Sequence, residues 1–379
     1  MINSQRLVVD TFSDVYKFIK HWADDTFWDF QAHEPQPGAI YVIGRKQFTE
    51  NTEKVRGMIE SNNYTVVFDN TAEGSWTLIS QLQVLRMDQY ARDHRLLLIS
   101  GGDLPDEYQY LHHDHFLIGI LDYEENLQAI KQANEIFTKT NKPYKFLFLN
   151  GRARPHRKYL WERFKDLDLL NQSLWSMLDS RPTGYRHFTL EADGVNRMAT
   201  VTPLQWLPSQ YEFVQFREPN ITPGPPERTF IKNQLFGNLW GEIYLQAEPY
   251  VDTYFSLITE TVYEFPYSFR TEKIAKPLAI GHPWICATST GFYRDIKNLG
   301  FKTFGHVIDE SFDNIDNHQD RMDRIVTVVN DLCQQDLQAF LQACEPVCKY
   351  NQQHLQELIL KRKSEFPDRF LYFLKNTNE

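Results

Sequence analysis

The chain has only four cysteines among 379 residues: Cys286, Cys333, Cys344 and Cys348. Cys344 and Cys348 stand four apart, which sets both on one face of a helix. No His or Cys pair beside them completes a zinc set, so they read as reduced structural thiols and not as a disulfide scaffold or a metal site. No run approaches the ~20 apolar residues that cross a bilayer, and Met1–Arg6 lacks the basic and then hydrophobic order of a secretory leader. These absences predict no membrane span and a cytoplasmic location. Positive charge is scarce as well: 40 Lys and Arg face 50 Asp and Glu, for a net charge of −10. Such a surface does not attract a polyanion, so local basic clusters must do any phosphate binding. There is no internal repeat and no low-complexity tail.

Aromatic residues are plentiful, at 14%, and the length suffices for two domains with separate cores. From about Gly38 to Asn150 short apolar runs alternate with amphipathic segments. Ala39–Ile43, Tyr64–Phe68, Arg95–Ile99 and Phe116–Ile120 read as buried strands, with helices over Asn51–Ser61 and Trp76–Ala91. That alternation predicts an α/β fold with a parallel sheet. The segment up to Phe30 reads as aromatic, partly helical and packed outside. Asn141–Pro143 reads as a boundary, followed by a strand over Tyr144–Leu149, a loop Asn150–Arg157 and a helix from Lys158. Between Asn171 and Arg228 the signal is poor, with strand-like pieces at Leu174–Met177 and His187–Leu190 and a proline-rich excursion at Pro219–Pro226. A strand over Tyr254–Tyr263, a helix opening near Thr271, a strand at Trp284–Ala287 and a helix over Gly291–Leu299 form a second α/β unit. Helices over Asp320–Leu332, Asp336–Ala343 and Asn351–Lys363 end the chain. The expected domains are 1–142, 143–345 and a C-terminal helical part, 346–379, packing across their junction.

Ser268–Pro283 carries the densest chemistry. Thr271 is a good helix cap, and the first N–H groups behind it, with the helix dipole, favour an anion such as a pyrophosphate. Lys273 and Lys276 add positive charge. Glu272 repels phosphate, so its task there is to accept hydrogen bonds from ribose or sugar hydroxyls, and Gly281 ends the helix. The loop with Arg152, Arg154, His156 and Arg157 sits between a strand end and a helix start, where open parallel sheets bind ligands, and arginine forks suit phosphate. Glu260 ends the strand before the motif. Asp69–Gly74 and Ser100–Asp103 end strands in the first domain, which makes Glu73 or Asp103 the expected general base. His112–His115 has a metal-like composition but reads as a surface turn, and Asp309, Glu310 and Asp313 read as a solvated acidic loop.

Phe255–Thr261, followed by Thr271–Glu272–Lys273 and Gly281–His282–Pro283, resembles the donor-binding region of GT-B-type glycosyltransferases, most nearly the fucosyltransferase and exostosin-like groups. The likeness covers roughly the second domain. It implies two Rossmann-like domains facing across a cleft, with Glu272 on the nucleotide ribose and with Lys273 and the loop arginines on the diphosphate. It also implies transfer from a nucleotide sugar to an acceptor hydroxyl, without a cofactor or an obligatory metal. Lys276 stands where many retaining members carry a second Glu, so their ribose contacts do not carry over. Two other readings stay open at this point. One is a glycosyltransferase acting on a modified nucleic-acid base through Arg45, Lys46, Arg56 and Arg86, and the other is an inactive binding or assembly protein.

Overall fold

Strand β1 (Leu7–Val9) is followed by β2 (Ile40–Gly44), β3 (Thr65–Asn70), β4 (Leu96–Ser100) and β5 (Tyr110–His112) in one sheet of order β1-β2-β3-β4-β5, all parallel. The structure is a computed structural model that describes residues 6–11, 13–20, 34–150, 154–177, 186–189, 197–200, 245–263 and 268–376. The chain divides into two units: residues Met1–Ile118, Tyr267–Thr271 and Glu357–Glu379 form the first, and Gly119–Pro266 and Glu272–Gln356 form the second.

In the first unit successive strand residues enter opposite cores. Tyr41, Ile43, Val66, Phe68, Leu96 and Leu98 pack with Phe48, Val55, Ile59, Leu78 and Leu82. These last come from helices α2 (Arg45–Glu50), α3 (Thr52–Ser61) and α4 (Ser75–Val84). The residues between them, Ile40, Val42, Val67, Leu97 and Ile99, meet Phe366, Phe370 and Phe373 together with Val15 and Ile19, Ile19 closing helix α1 (Tyr16–Ile19). Burial on both faces is why these strands read as unbroken apolar runs.

Several expectations need correction. The N-terminal segment contributes β1, a buried edge strand paired to Ile40–Val42, because three apolar residues are too short a run to announce a strand. Phe116–Ile120 lies largely in helix α6 (His115–Gly119), since a short apolar run has no period that tells helix from strand. The expected helix Trp76–Ala91 is two helices, α4 and α5 (Asp88–Arg92), broken where Arg86 takes a left-handed φ of 55°.

The second unit begins with α7 (Glu124–Gln132). Its sheet runs in the order β11-β10-β6-β7, with β6 (Phe146–Asn150), β7 (Leu174–Met177), β10 (Phe255–Thr259) and β11 (Trp284–Ala287) all parallel. β8 (Arg186–Thr189) and β9 (Arg197–Thr200) form an antiparallel pair. The proline-rich stretch Pro219–Pro226 lies outside the described residues. The helices are α8 (Pro155–Asp166), α9 (Glu248–Val251), α10 (Glu272–Ile280), α11 (Phe292–Asn298), α12 (His318–Cys333) and α13 (Leu337–Lys375). The two short helices expected at the C-terminus are the single helix α13, which continues through Pro346 and Pro367. An interior proline costs about 3 kcal/mol, and the buried residues Leu341, Cys344, Cys348 and Leu355 on that helix offset it. The chain is therefore α/β with two parallel sheets and a helical C-terminus.

Candidate functional site

Strand β10, helix α10 and strand β11 form a unit whose two strands are parallel, registered from Ser256 on Trp284 to Thr259 on Ala287. That topology puts the start of α10 at the carboxyl ends of the strands, where open α/β sheets hold their ligands. Thr271 and Glu272 are buried there. Lys273 Nζ lies 2.6 Å from Glu272 Oε1. Burial works to raise the Glu272 pKa, but Lys273 and Lys276 overcome it and hold the carboxyl down at about 2. The sequence thus places an ionised carboxylate and two cations on the first two turns of one helix.

That depression has a consequence for stability. The folded pKa lies below the unfolded one, so the ionised Glu272 stabilises the second unit above about pH 4.5, and the contribution is lost as pH falls from there towards 2. The depression from 4.5 to about 2 corresponds to roughly 3–4 kcal/mol at most. Denaturant unfolding of wild type and Glu272→Gln at pH 7 and pH 3 is expected to show a gap that narrows in acid.

The far end of α10 is structural. Gly281 has a φ of 76°, its N–H and that of His282 both donate to Pro277 O at 3.0 Å, and a Cβ at 281 would lie 2.5 Å from the Gln352 side chain. Gly281 stops the helix and seats Gln352. His282 accepts at Nδ1 from Ser256 Oγ (2.9 Å) and donates from Nε2 to Thr253 O (3.0 Å), and burial holds its pKa down at about 3. This buried pair resembles a nucleophile and its base, but both imidazole nitrogens are spent on holding β10.

The basic loop differs from its expectation. Helix α8 begins at Pro155, so His156 and Arg157 occupy its first turn and not a loop, and both are buried. His156 Nε2 donates to Glu260 O at 2.9 Å while its ring stacks on Tyr263 at 4.3 Å, and Arg157 Nη2 donates to Thr259 O at 2.9 Å. These side chains brace the end of β10. Arg154 is the N-cap of α8, and Arg152 lies outside the described residues. Glu260 is fully buried and its Oε2 accepts from Thr261 N at 3.3 Å. Sequence reasoning missed Arg321, which donates to Tyr263 O (2.5 Å), Ile315 O (2.6 Å), Thr288 O (2.8 Å) and Asp316 O (3.1 Å), tying the loops after β10 and β11 to α12.

In the first unit the two expected bases have different surroundings. Glu73 pairs with Arg45 on the surface. Asp103, after β4, has Oδ1 3.1 Å from His112 Nδ1 at the end of β5, and His112 Nε2 lies 3.3 Å from Asp114 Oδ1. Arg270 reaches Asp114 Oδ1 with Nε (2.7 Å) and His112 Nε2 with Nη2 (3.0 Å). Burial would raise the Asp103 pKa, but His112 and Arg270 hold it below the ordinary carboxylate value. The expected surface turn at His112–His115 is therefore wrong: His113 and Asp114 are buried, and Asp114 belongs to this network. Two signals in the sequence point to it. Adjacent parallel strands both end in polar residues, and an arginine directly precedes the Thr271 motif.

The acidic loop at 309–313 is also partnered, contrary to expectation. Arg324 pairs with Asp309, Lys297 Nζ lies 3.1 Å from Glu310, and Asp313 is buried, accepting from Tyr293 N at 3.1 Å. Of the basic residues set aside for nucleic acid, Arg45 pairs with Glu73 and Arg56 with Glu53 at 2.6 Å. The four cysteines are free and buried. Among the described residues no helix is long and apolar enough to cross a membrane, and no three His, Cys, Asp or Glu side chains converge as a metal site.

Arg270 and Glu272 are separated by one residue, so their Cα atoms lie within about 7 Å by covalent geometry. The carboxylate–imidazole network and the start of α10 are thereby neighbours along the chain. No family model, curated protein or solved structure matches this sequence.

Proposed function

We propose that the protein is a glycosyltransferase that moves a sugar from a nucleoside-diphosphate donor to an acceptor hydroxyl. The observation that carries this reading is the start of α10, where a buried, ionised Glu272 stands beside Lys273 and the first-turn N–H groups. An anion receptor alone would have no use for a carboxylate at that place. A ligand carrying both hydroxyls and a diphosphate, as a nucleotide sugar does, uses both charges.

In this reading Glu272 accepts hydrogen bonds from ribose hydroxyls. The N–H groups of α10, Lys273 and Lys276 stabilise the charge that develops on the leaving diphosphate. Thr271 lies directly before the helix. Arg154 is the described member of the basic loop that serves the diphosphate, because His156 and Arg157 are committed to main-chain carbonyls. Asp103 serves as base, because the His112 imidazole 3.1 Å away can hold its carboxylate in place, whereas Glu73 pairs with Arg45 on the surface. The two units act as a GT-B-type pair, the second holding the donor and the first the acceptor.

The reading is tested by incubating the full chain with UDP-, GDP-, ADP- and CMP-sugars and a panel of glycan and small-molecule acceptors. Acceptor-dependent release of the nucleotide is expected for one donor and is expected to vanish in Asp103→Asn. Release that Asp103→Asn leaves unchanged would remove Asp103 from the scheme, and no release from any donor would overturn the reading.

A further inference from the structure

In the first unit Asp103, His112, Asp114 and Arg270 form a file from solvent to core, with side chains 38%, 24%, 10% and 3% exposed. Both sides of the file are anchored. Arg270 Nη1 donates to Ser268 Oγ at 3.3 Å, Asp103 N donates to Ser268 O at 3.2 Å, and Arg369 Nη2 from α13 donates to His112 O at 2.8 Å. The imidazole therefore has little freedom to turn, and its neighbours decide what each nitrogen does.

Nδ1 donates to Asp103 Oδ1. Nε2 has two partners that want opposite things of it. A bare Nε2 accepts from Arg270 Nη2 at 3.0 Å, whereas a protonated Nε2 donates to Asp114 Oδ1 at 3.3 Å. The bare Nε2 keeps Arg270 as its donor, and the protonated Nε2 turns to Asp114 while facing the Arg270 guanidinium as a like charge. A purely structural histidine needs one set of partners, as His282 has. Two sets suit a ring that exchanges a proton in place.

We infer that His112 is the positioning residue for Asp103 in sugar transfer, and that protonation of its ring switches the transfer off. The inference rests on the glycosyltransferase reading. In the active state the neutral ring holds one carboxylate oxygen of Asp103 and orients the other towards the acceptor. The acceptor O–H bond breaks and its proton goes to Asp103, while the acceptor oxygen forms the bond to the anomeric carbon. The bond from that carbon to the diphosphate breaks, and its electron pair leaves with the nucleotide. A second ring proton puts a full positive charge 3.1 Å from Asp103 and makes the carboxylate a poorer base.

The charged and titratable groups acting on the ring are Asp103 from the loop after β4, Asp114 and His113 from its own segment, and Arg270, while Arg369 from α13 donates to the His112 carbonyl. Burial lowers the His112 pKa, but Asp114 and Asp103 outweigh it and leave it above 6.5.

Two measurements on the full chain test the inference. The first is the pH profile of kcat/KM in wild type, His112→Asn and His112→Ala. The Asn amide nitrogen can replace Nδ1 as donor to Asp103 but does not titrate. Wild type is expected to gain activity as pH rises through a value above 6.5. His112→Asn is expected to keep the wild-type maximum within about 3-fold, consistent with one retained neutral hydrogen bond, and to lose the acid limb. His112→Ala is expected to be low at every pH. An acid limb retained in His112→Asn would overturn the switch. The second is NMR titration of the His112 ring in wild type and Asp103→Asn, which needs no turnover. The ring pKa is expected to fall in the variant, and an unmoved pKa would overturn the pairing itself. If no donor is turned over, the glycosyltransferase reading fails, while the NMR titration still decides whether the two groups are coupled.

Discussion

Replacing Glu272 with Gln is expected to weaken binding of the nucleotide-sugar donor roughly 10- to 150-fold, in a protein that still folds. The range follows from one charge-assisted hydrogen bond, worth about 1.5–3 kcal/mol, converted at about 1.4 kcal/mol for each factor of ten. Gln keeps the shape of the side chain and one acceptor oxygen, so the loss reports charge and not a hole in the packing. Lys273 is 22% exposed on its side chain and turns to water when its partner is neutral. A receptor for diphosphate alone would respond in the opposite direction, because removing a carboxylate favours a nearby anion. The sign of the change in Kd therefore separates a nucleotide-sugar site from a plain anion site, and isothermal titration calorimetry at pH 7 measures it.

Replacing Arg270 with Met is expected to cost the first unit about 3–5 kcal/mol, the penalty for leaving a buried charge without its partner. The Asp114 carboxyl resists burial, which by itself would raise its pKa. Arg270 and then His112 reverse this and hold it well below the usual carboxylate range. Without Arg270 the carboxylate must find a proton or a water. The double variant Arg270→Met/Asp114→Leu is expected to recover much of the loss, since an apolar pair of similar volume often matches a buried ion pair. Hydrogen exchange of the β4 and β5 amides reads the effect in this unit alone. A loss no smaller in the double variant would show that Arg270 acts through contacts other than Asp114.

How far the sequence could be read depended on how each residue is used. Parallel strands buried on both faces leave unbroken apolar runs, so β2, β3, β4, β6 and β11 were legible, and β1 at three residues was not. The break between α4 and α5 was hidden because it turns on a left-handed Arg86 and not on glycine or proline. The gap expected between Ala343 and Asn351 is absent, because the buried side of α13 carries the helix through Pro346. At the site, the start of α10 was legible because cap, carboxylate and lysines are adjacent in the sequence. The role of His156 and Arg157 was not, since whether an arginine meets a phosphate or a carbonyl depends on which main chain lies beside it. Both donate to the end of β10, more than 100 residues away. The network of Asp103, His112, Asp114 and Arg270 escaped for the same reason, as its members come from three separate stretches of chain.

The central claim is that the start of α10 holds a nucleotide sugar, and the thermal stability of the full chain against UDP-, GDP-, ADP- and CMP-sugars tests it most directly. A ligand at 100 times its Kd stabilises the folded state by about 2.7 kcal/mol, a rise of several degrees in Tm. The account predicts that rise for at least one nucleotide sugar in wild type and its loss in Glu272→Gln at the same concentration. No rise with any of them, or an equal rise in the variant, would contradict it.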